Sequence, residues 1–385
     1  MSDDEFLYLA KTYLASFGIL SHVGISYKSS KPYGFALRKH KDALYVTRSL
    51  PSTNLIKGDK ITHIEGLIIE DVYQKHVDFF TSKKAERQFQ EWAYLVKHAA
   101  HITLIRDGEK RAVQVAEPVD SEHIGKKFDS YYLNEQTYYM KIENFMDEVD
   151  IMALYDQAFP KLEKVENLII DVRVNNGGTD SLYFPLFQYF LPAGKVFSSL
   201  DDDGIESGME SLYTPTNVAH RLVSFDLFLK QDGVSQETID FIGGLKKDML
   251  ENQDKGYVVY HHDGEFFPEL VGKEDSPKHV YILSDINCGS SGDNFVDTLK
   301  MMPKVTVVGR PTLGILDYSN CALVDFDQFE MIHPTSRNLC VDSGNGMNDI
   351  GVLPDIEILW TPDMIHEDKD LALVMDLIEK GEIPK

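Results

Sequence analysis

The sequence predicts an α/β protein with a layered core, because two of its stretches have the pattern of a buried strand, a glycine-rich turn and a helix. The first stretch covers residues 168–191 and contains the turn NNGGTD, and the second covers residues 280–302 and contains the turn NCGSSG. Both strands open with apolar residues that do not alternate with polar ones, which is typical of strands covered on both faces. A third observation is a β-rich segment before residue 119, which predicts a second, smaller unit.

Composition and charge exclude several classes of protein. The 385-residue chain is 43% hydrophobic and 26% charged, as expected of a soluble globular protein large enough for two or three domains. Its formal charge of −24 argues against nucleic acid or an anionic membrane as the main partner, and no apolar run is long enough to span a bilayer. The N-terminus is acidic where a signal peptide would be basic, so we expect an amphipathic helix and a cytoplasmic protein with reduced cysteines.

The chain begins with a helical segment, residues 1–28, and continues with the β-rich segment, residues 29–118. The run GDKITHIEG at 58–66 resembles the signature of a PDZ domain, and Asp107-Gly108 between two apolar runs predicts a hairpin. This resemblance implies that an edge strand binds a peptide and that a loop holds its C-terminal carboxylate. The residues of that loop would be Tyr33, Gly34, Phe35, Ala36 and Leu37. The alternative is a small β-rich domain that binds nothing.

After a linker, residues 130–385 contain both strand–turn–helix units, further strands at 137–145 and 305–310, and a closing helix at 368–380. A segment at about 195–275 interrupts this pattern, being acidic at first and then helical. We expect it to be an inserted cap, which is either a lid over the site or a plain surface insertion. His261 and His262 have no partner at metal-ligand spacing, so the sequence predicts no metal, and it indicates no cofactor.

The turn at 287–292 has the pattern of an acyl-transfer site. A serine there lies at the end of a sheet, and the N–H groups that follow it have no partner within the helix. This is the geometry of a nucleophile with half an oxyanion hole. An ordinary helix N-cap is the competing interpretation. Cys288 is a second candidate nucleophile, although a small buried residue is the simpler interpretation.

Five motifs in order resemble those of the C-terminal processing and tricorn-like serine peptidases: TYYMKIENF, LIIDVRVNNGG, VYILSDINCGSSGDNF, VTVVGRPTLG and IGVLPDI. The resemblance implies a ClpP/crotonase-like layered β/α core and a serine peptidase that acts on peptides or unfolded proteins. It places the nucleophile at Ser290, three residues before Asp293, with Ser291 as the alternative. It implies an oxyanion hole from Ser291 together with Gly177 or Gly178. Because members of the family often assemble, a homo-oligomer is compatible with the resemblance.

The general base departs from the family pattern. Processing peptidases carry a lysine where this chain has Ile315, and tricorn-like members carry a histidine where it has Lys141. One hypothesis makes Lys141 the base, which requires burial to lower its pKa strongly. The simpler alternative is that Lys141 is an ordinary strand residue. A third hypothesis is that a histidine from another part of the chain, His123 or His333, is the base. Asn348 and Asp349 stand where tricorn-like members carry a supporting glutamate.

Two functions from different classes remain. The first is a serine endopeptidase that acts through Ser290 after the PDZ-like segment captures a substrate C-terminus. The second is a catalytically degenerate protein that binds peptides on the same scaffold. The two glycine turns favour the first function, because both parts of an oxyanion hole are present. Ile315 and Lys141 favour the second.

Overall fold

The computed structural model describes residues 1–119, 125–197, 208–230, 234–261 and 270–382. The helices are α1 (Asp3–Ala15), α2 (Ile69–Lys75), α3 (Phe89–His98), α4 (Glu148–Leu162), α5 (Phe187–Phe190), α6 (Pro215–Phe228), α7 (Gln236–Asn252), α8 (Ser291–Lys300) and α9 (Lys369–Lys380). The strands that begin before residue 130 are β1 (Gly24–Tyr27), β2 (Phe35–His40), β3 (Ala43–Ser49), β4 (Lys60–Ile64), β5 (Leu67–Ile68), β6 (Ile102–Arg106), β7 (Glu109–Val113) and β8 (Phe128–Asn134). The later strands are β9 (Thr137–Ile142), β10 (Asn167–Asp171), β11 (Gly208–Tyr213), β12 (Gly256–His261), β13 (His279–Ser284), β14 (Val305–Gly309), β15 (Tyr318–Phe326), β16 (Phe329–Asn338) and β17 (Ile356–Glu357).

The central sheet has the order β17-β14-β13-β10-β9-β8, and all its strands are parallel except the edge strand β8. Alternate residues face opposite layers, as the period of two in a strand requires. Met140, Ile170 and Ile282 pack on one face with apolar residues of α4, α5 and α8. Tyr139 and its neighbours pack on the other face with α9. This arrangement confirms the predicted layered α/β core.

A second sheet, of order β2-β3-β4-β6-β7, lies within the segment predicted to resemble a PDZ domain. Trp92 of α3 is fully buried in its core with Leu44, Ile61 and Leu104. The β6–β7 hairpin is confirmed: Arg106 pairs with Glu109, and both turn residues have positive φ, as a two-residue primed turn requires. Among the described residues β2 pairs with β3 alone, which leaves the other edge of β2 open.

A third sheet was not predicted from the sequence. It has the order β1-β16-β11-β12, with β15 also paired to β16. The segment predicted as a cap therefore contributes two strands to this sheet, and the segment predicted as helical contributes β1. The β1–β16 and β11–β16 pairings join residues more than 100 positions apart, such as Met209 with Asn338, so no local pattern predicts them. The acidic run at 201–203 and His262 lie outside the described residues.

None of the described helices is both long and apolar enough to cross a membrane.

Candidate active site

The serine turn connects β13 to α8 and places Ser290 at the N-cap of that helix. Ser290 has φ 58° and ψ −124°, a conformation that costs free energy in a residue with a side chain. A strained serine between a strand and a helix is the geometry that exposes a nucleophilic hydroxyl. The double-glycine turn lies against it: a Cβ added to Gly177 would come within 2.6 Å of the Ser290 Cβ. A glycine at 177 is therefore needed to leave room beside the serine.

Two backbone N–H groups at this contact have no hydrogen-bond partner among the described residues, those of Ser291 and Gly178. The predicted donor Gly177 is different, because its N–H is bonded to Oδ1 of Asn175 at 2.9 Å. The N–H groups of Ser291 and Gly178 are therefore the ones open to an acceptor, while Gly177 supplies space beside the serine. The start of α8 adds the positive end of its dipole at the same place.

Neither alternative nucleophile has the geometry of Ser290. The Ser291 hydroxyl donates to the carbonyl of Gly178 at 2.7 Å, so it ties the two turns together. Cys288 is fully buried, and burial raises the pKa of its thiol well above the ordinary value, with further increases from Asp293 and Asp285. A raised pKa keeps the thiol protonated and weakens it as a nucleophile.

Asp293 fixes the serine turn to the loop that follows β14. Its buried carboxylate accepts the N–H groups of Ser290, Gly314 and Ile315, each at 2.9 Å. Burial raises the pKa of Asp293, although hydrogen bonds from Thr312 and from these N–H groups lower it in part. Asp293, three residues after the serine, is therefore a structural anchor of the serine turn.

An apolar wall stands where the family carries a lysine. Ile315 is 6% exposed and packs with Leu313 and with Leu20 from the N-terminal segment. A Cβ on Gly289 would come within 3.2 Å of Ile315 Cδ1, so this wall adjoins the serine turn. An isoleucine cannot accept a proton, and the side chains of Leu313 and Leu20 that pack on it are apolar as well.

The structure does not give Lys141 the position that the base hypothesis needs. Its Nζ atom donates to the carbonyl of Lys126 at 2.7 Å and to the carboxylate of Glu143 at 3.1 Å. Lys141 also shares its face of the central sheet with Tyr139, which packs toward α9, whereas α8 lies on the opposite face. The period of two in β9 thus directs the lysine away from Ser290.

Of the two predicted supporting residues, Asn348 holds the N-terminal segment, whereas Asp349 lies beside Arg87. Asn348 accepts the N–H of Leu20 at 3.2 Å and donates to the carbonyl of Gly18 at 2.8 Å. Oδ1 of Asp349 lies 3.9 Å from Nε of Arg87. None of the described hydrogen bonds joins either residue to Ser290.

His22 was not among the candidate site residues predicted from the sequence, where it is an isolated histidine after a helix. Its Nδ1 is hydrogen-bonded to the carbonyl of Tyr318, 296 residues away. Burial lowers the pKa of His22, partly offset by the carbonyls of Tyr318 and Ile315. The imidazole is therefore neutral at neutral pH, and the two carbonyls that it contacts belong to the segment 315–318. His333 bonds the carbonyl of Pro334, and His123 lies outside the described residues.

The lowered pKa of His22 makes stability depend on pH. The folded state binds a proton at this group less readily than the unfolded state, so stability is present above about pH 6.5 and is lost as the pH falls below it. We expect the free energy of unfolding of His22→Gln to change less between pH 7 and pH 5 than that of the wild type. Denaturant titrations along this pH range measure the difference, with a maximal slope of about 1.4 kcal/mol per pH unit. Parallel curves for the two proteins would contradict the prediction.

A cavity of about 460 Å³ connects the predicted peptide-binding strand to the serine turn. Tyr33, Phe35, Ala36 and Leu37 line it together with residues of α3, and Asn287 and Leu313 line its other end. Burial, followed by the charge of Tyr94, raises the pKa of Tyr33 to about 12. Gly34 does not line the cavity, because it packs where a Cβ would come within 2.9 Å of Thr53. The N-terminal segment forms a further wall, which includes Lys11 and Leu20.

Comparison with known proteins gives a family match and several similar folds. The profile described as peptidase family S41 matches residues 136–358, which is more than half of the chain. The structure of mature CPAF has a TM-score of 0.62 and 14% identity, covering 96% of this chain and 85% of that one. CPAF complexed with lactacystin has a TM-score of 0.60 at 14% identity, covering 96% and 86%. The photosystem II D1 C-terminal processing protease is 15% identical, covers 95% and 80%, and has a TM-score of 0.41. At these identities the CPAF structures support the fold alone.

Proposed function

We propose that this chain, which belongs to peptidase family S41, is a serine-type peptidase whose nucleophile is Ser290. One observation carries the proposal: a strained serine adjoins two backbone N–H groups, those of Ser291 and Gly178, that have no partner among the described residues. Such groups stabilise the negative charge that develops on the carbonyl oxygen of a scissile peptide bond. Attack by the Ser290 hydroxyl would break the scissile C–N bond, release the C-terminal fragment as a protonated amine and leave an acyl-enzyme, which water then hydrolyses to the free carboxylate and Ser290.

The substrates that we propose are peptides or unfolded proteins with a free C-terminus. The open edge of β2 is suited to pairing with an extended chain, and the cavity beside it reaches Asn287 in the serine turn. A chain bound along β2 could therefore extend toward Ser290. We further propose that the protein forms a homo-oligomer. We also propose a cytoplasmic location, which agrees with the unpaired thiols of Cys288, Cys321 and Cys340.

The proton of the Ser290 hydroxyl needs an acceptor. Among the described side chains we propose His22 first, because it is neutral at neutral pH and packs on the carbonyls around Ile315. It would need to turn from Tyr318 toward the serine when substrate binds. Lys141 is engaged by Lys126 and Glu143, which argues against it.

Labelling with a fluorophosphonate probe tests the nucleophile. We expect covalent labelling of the wild type, none of Ser290→Ala, and labelling of Ser291→Ala, which removes a hydroxyl but keeps the backbone N–H. His22→Gln and His123→Ala should separate the candidate bases, and Lys141→Ala should label at the wild-type rate. A folded wild type that takes up no label would overturn the peptidase proposal.

A second candidate function is peptide binding without turnover. The observation that favours it is the apolar wall at Ile315, which removes the usual base from the site. Binding of peptides with free C-termini by the wild type, together with absence of labelling, would support this candidate.

A further inference from the structure

An ammonium group lines the cavity along β2 without a hydrogen-bond partner of its own. Lys11 of α1 is half-buried, and its Nζ atom lies 5.6 Å from the centroid of the Tyr94 ring, within the range of a cation–π contact. Among the residues that the structure describes, no hydrogen bond or ion pair reaches this Nζ atom. The other cations that line the cavity are each engaged: Arg38 by Asp285, Arg48 by Glu143 and Arg87 by three main-chain carbonyls.

Glu91 is the acidic residue whose charge acts on Lys11. It lies on α3 and lines the same cavity, but its carboxylate accepts the N–H of Thr81 at 3.2 Å. Burial lowers the pKa of Lys11, and the charge of Glu91 offsets only part of this effect. Burial also raises the pKa of Glu91, so both charges are costly in this place. A carboxylate supplied by a ligand would give the ammonium the direct partner that it lacks within the described chain.

Lys11 lies at the end of the cavity where the C-terminus of an added peptide would be. The Tyr94 ring stacks on His98 with centroids 4.1 Å apart, and Tyr33, just before β2, contacts the same His98 ring at 6.2 Å. Lys11 is therefore near the start of β2. The strands of this sheet pair antiparallel. A peptide that extends this pattern along β2 places its C-terminal end beside Tyr33 and its earlier residues toward Asn287.

The loop before β2 leaves this role open. Gly34, which was predicted to help hold a terminal carboxylate, does not line the cavity, and its carbonyl accepts the N–H of Leu50 at 2.7 Å. The ammonium of Lys11, by contrast, belongs to the cavity lining. A side chain from outside the PDZ-like unit is therefore placed to receive a negative charge at this end.

We propose that Lys11 is the binding site for a carboxylate of the bound peptide, so that the cavity prefers peptides with an acidic group near their C-terminal end. The inference rests on the proposed function, in which a peptide pairs with β2. The acidic group is the terminal carboxylate itself or the side chain of an Asp or Glu close to it, since both offer the ammonium the same acceptor oxygens. The rings of Phe79 and Tyr94 in the cavity wall would pack on the apolar atoms of the same peptide.

Selection from a peptide library tests the site. The protein is the full chain with Ser290→Ala, so that bound peptides are not cleaved, and the probe is a random decapeptide library made with free and with amidated C-termini. Captured peptides are identified by mass spectrometry. We expect an enrichment of about 10-fold, the effect of one charge-assisted hydrogen bond, either of free over amidated C-termini or of Asp and Glu over Asn and Gln near the C-terminus. The first result assigns the terminal carboxylate to Lys11, and the second assigns an acidic side chain.

Variants at residue 11 show whether the ammonium causes the preference. In the Ser290→Ala chain, Lys11→Gln should bring the enrichment down to about 1, because the amide carries no charge. Lys11→Arg keeps the charge and should retain most of the enrichment. Arg48→Gln is the matched control, since Arg48 lines the same cavity but already pairs with Glu143. If Lys11→Gln does not fold, Lys11→Met, which keeps an apolar stem, takes its place.

The outcomes separate this inference from the proposed function. Captured peptides without either enrichment, or an enrichment that Lys11→Gln leaves unchanged, would overturn the inference alone. Equal loss in Arg48→Gln would also overturn it, because the total charge of the cavity would then explain the preference. If no peptide is captured, the inference and the proposed substrates fail together, whereas labelling of the wild type tests Ser290 separately. An enrichment that depends on Lys11, in a protein that takes up no label, would support the inference together with peptide binding without turnover.

Discussion

Gly178→Ala is expected to abolish most of the reactivity of Ser290. A Cβ at this position would lie 2.1 Å from the carbonyl oxygen of Phe145, and the φ of Gly178 is +142°, which side chains rarely adopt. The same carbonyl accepts the N–H of Thr179 at 2.7 Å, so the turn cannot move away without breaking that bond. The displaced Gly178 N–H would no longer face the oxyanion. We expect labelling by the fluorophosphonate probe to slow by at least ~100-fold, the usual effect of losing one such donor.

A stability measurement separates the chemical effect from unfolding. The strain at residue 178 is expected to lower the free energy of unfolding by roughly 1–3 kcal/mol, which most folded proteins survive. Gly244→Ala is the matched control: Gly244 lies in α7 with no atom within 4 Å of an added Cβ. That variant should be more stable by about 0.5–1 kcal/mol and should label normally. Labelling of Gly178→Ala within a few-fold of the wild type would remove Gly178 from the oxyanion hole.

Of the substitutions predicted here, Asp293→Ala should cause the largest decrease in the free energy of unfolding. The substitution removes the acceptor of three N–H groups: those of Gly314 and Ile315, which are buried, and that of Ser290, which is partly buried. Each unsatisfied buried group costs about 1–3 kcal/mol, so we expect a loss of at least ~3 kcal/mol even after the relief of burying a charge. Urea denaturation measures the loss, and labelling of Ser290 should disappear because the turn is released.

Two further variants test whether the loss of these three hydrogen bonds causes the decrease in stability. Asp293→Asn keeps one acceptor oxygen and should fall between the wild type and the alanine variant. Asp376→Ala removes an exposed acid that pairs with Lys380 on α9, and its stability should match that of the wild type. A small loss in Asp293→Ala, comparable to that of Asp376→Ala, would show that the three hydrogen bonds do not hold the serine turn.

Local patterns in the sequence predicted much of the fold. The strand–turn–helix units at 168–191 and 280–302 appear as β10 with the turns after it and as β13 with α8, because apolar periodicity and glycine turns act over a few residues. The Asp107-Gly108 hairpin follows from the positive φ that such a pair adopts. The third sheet was not predicted, because β15 and β16 are largely half-exposed and the β1–β16 and β11–β16 pairings join distant parts of the chain.

The features of the candidate site also divide into those that the sequence predicts and those that only the tertiary structure shows. The sequence by itself placed a serine and a double glycine in two turns, and it showed that Ile315 replaces the family lysine. Only the tertiary structure decided that the Gly177 N–H is bonded while that of Gly178 has no partner among the described residues. It also decided that Lys141 points toward the layer of α9, that His22 contacts the carbonyl of Tyr318, and that Arg38 pairs with Asp285. The physical reason is distance along the chain. A turn is fixed by the conformational preferences of its own residues, whereas a contact between residues 22 and 318 depends on how complete layers pack.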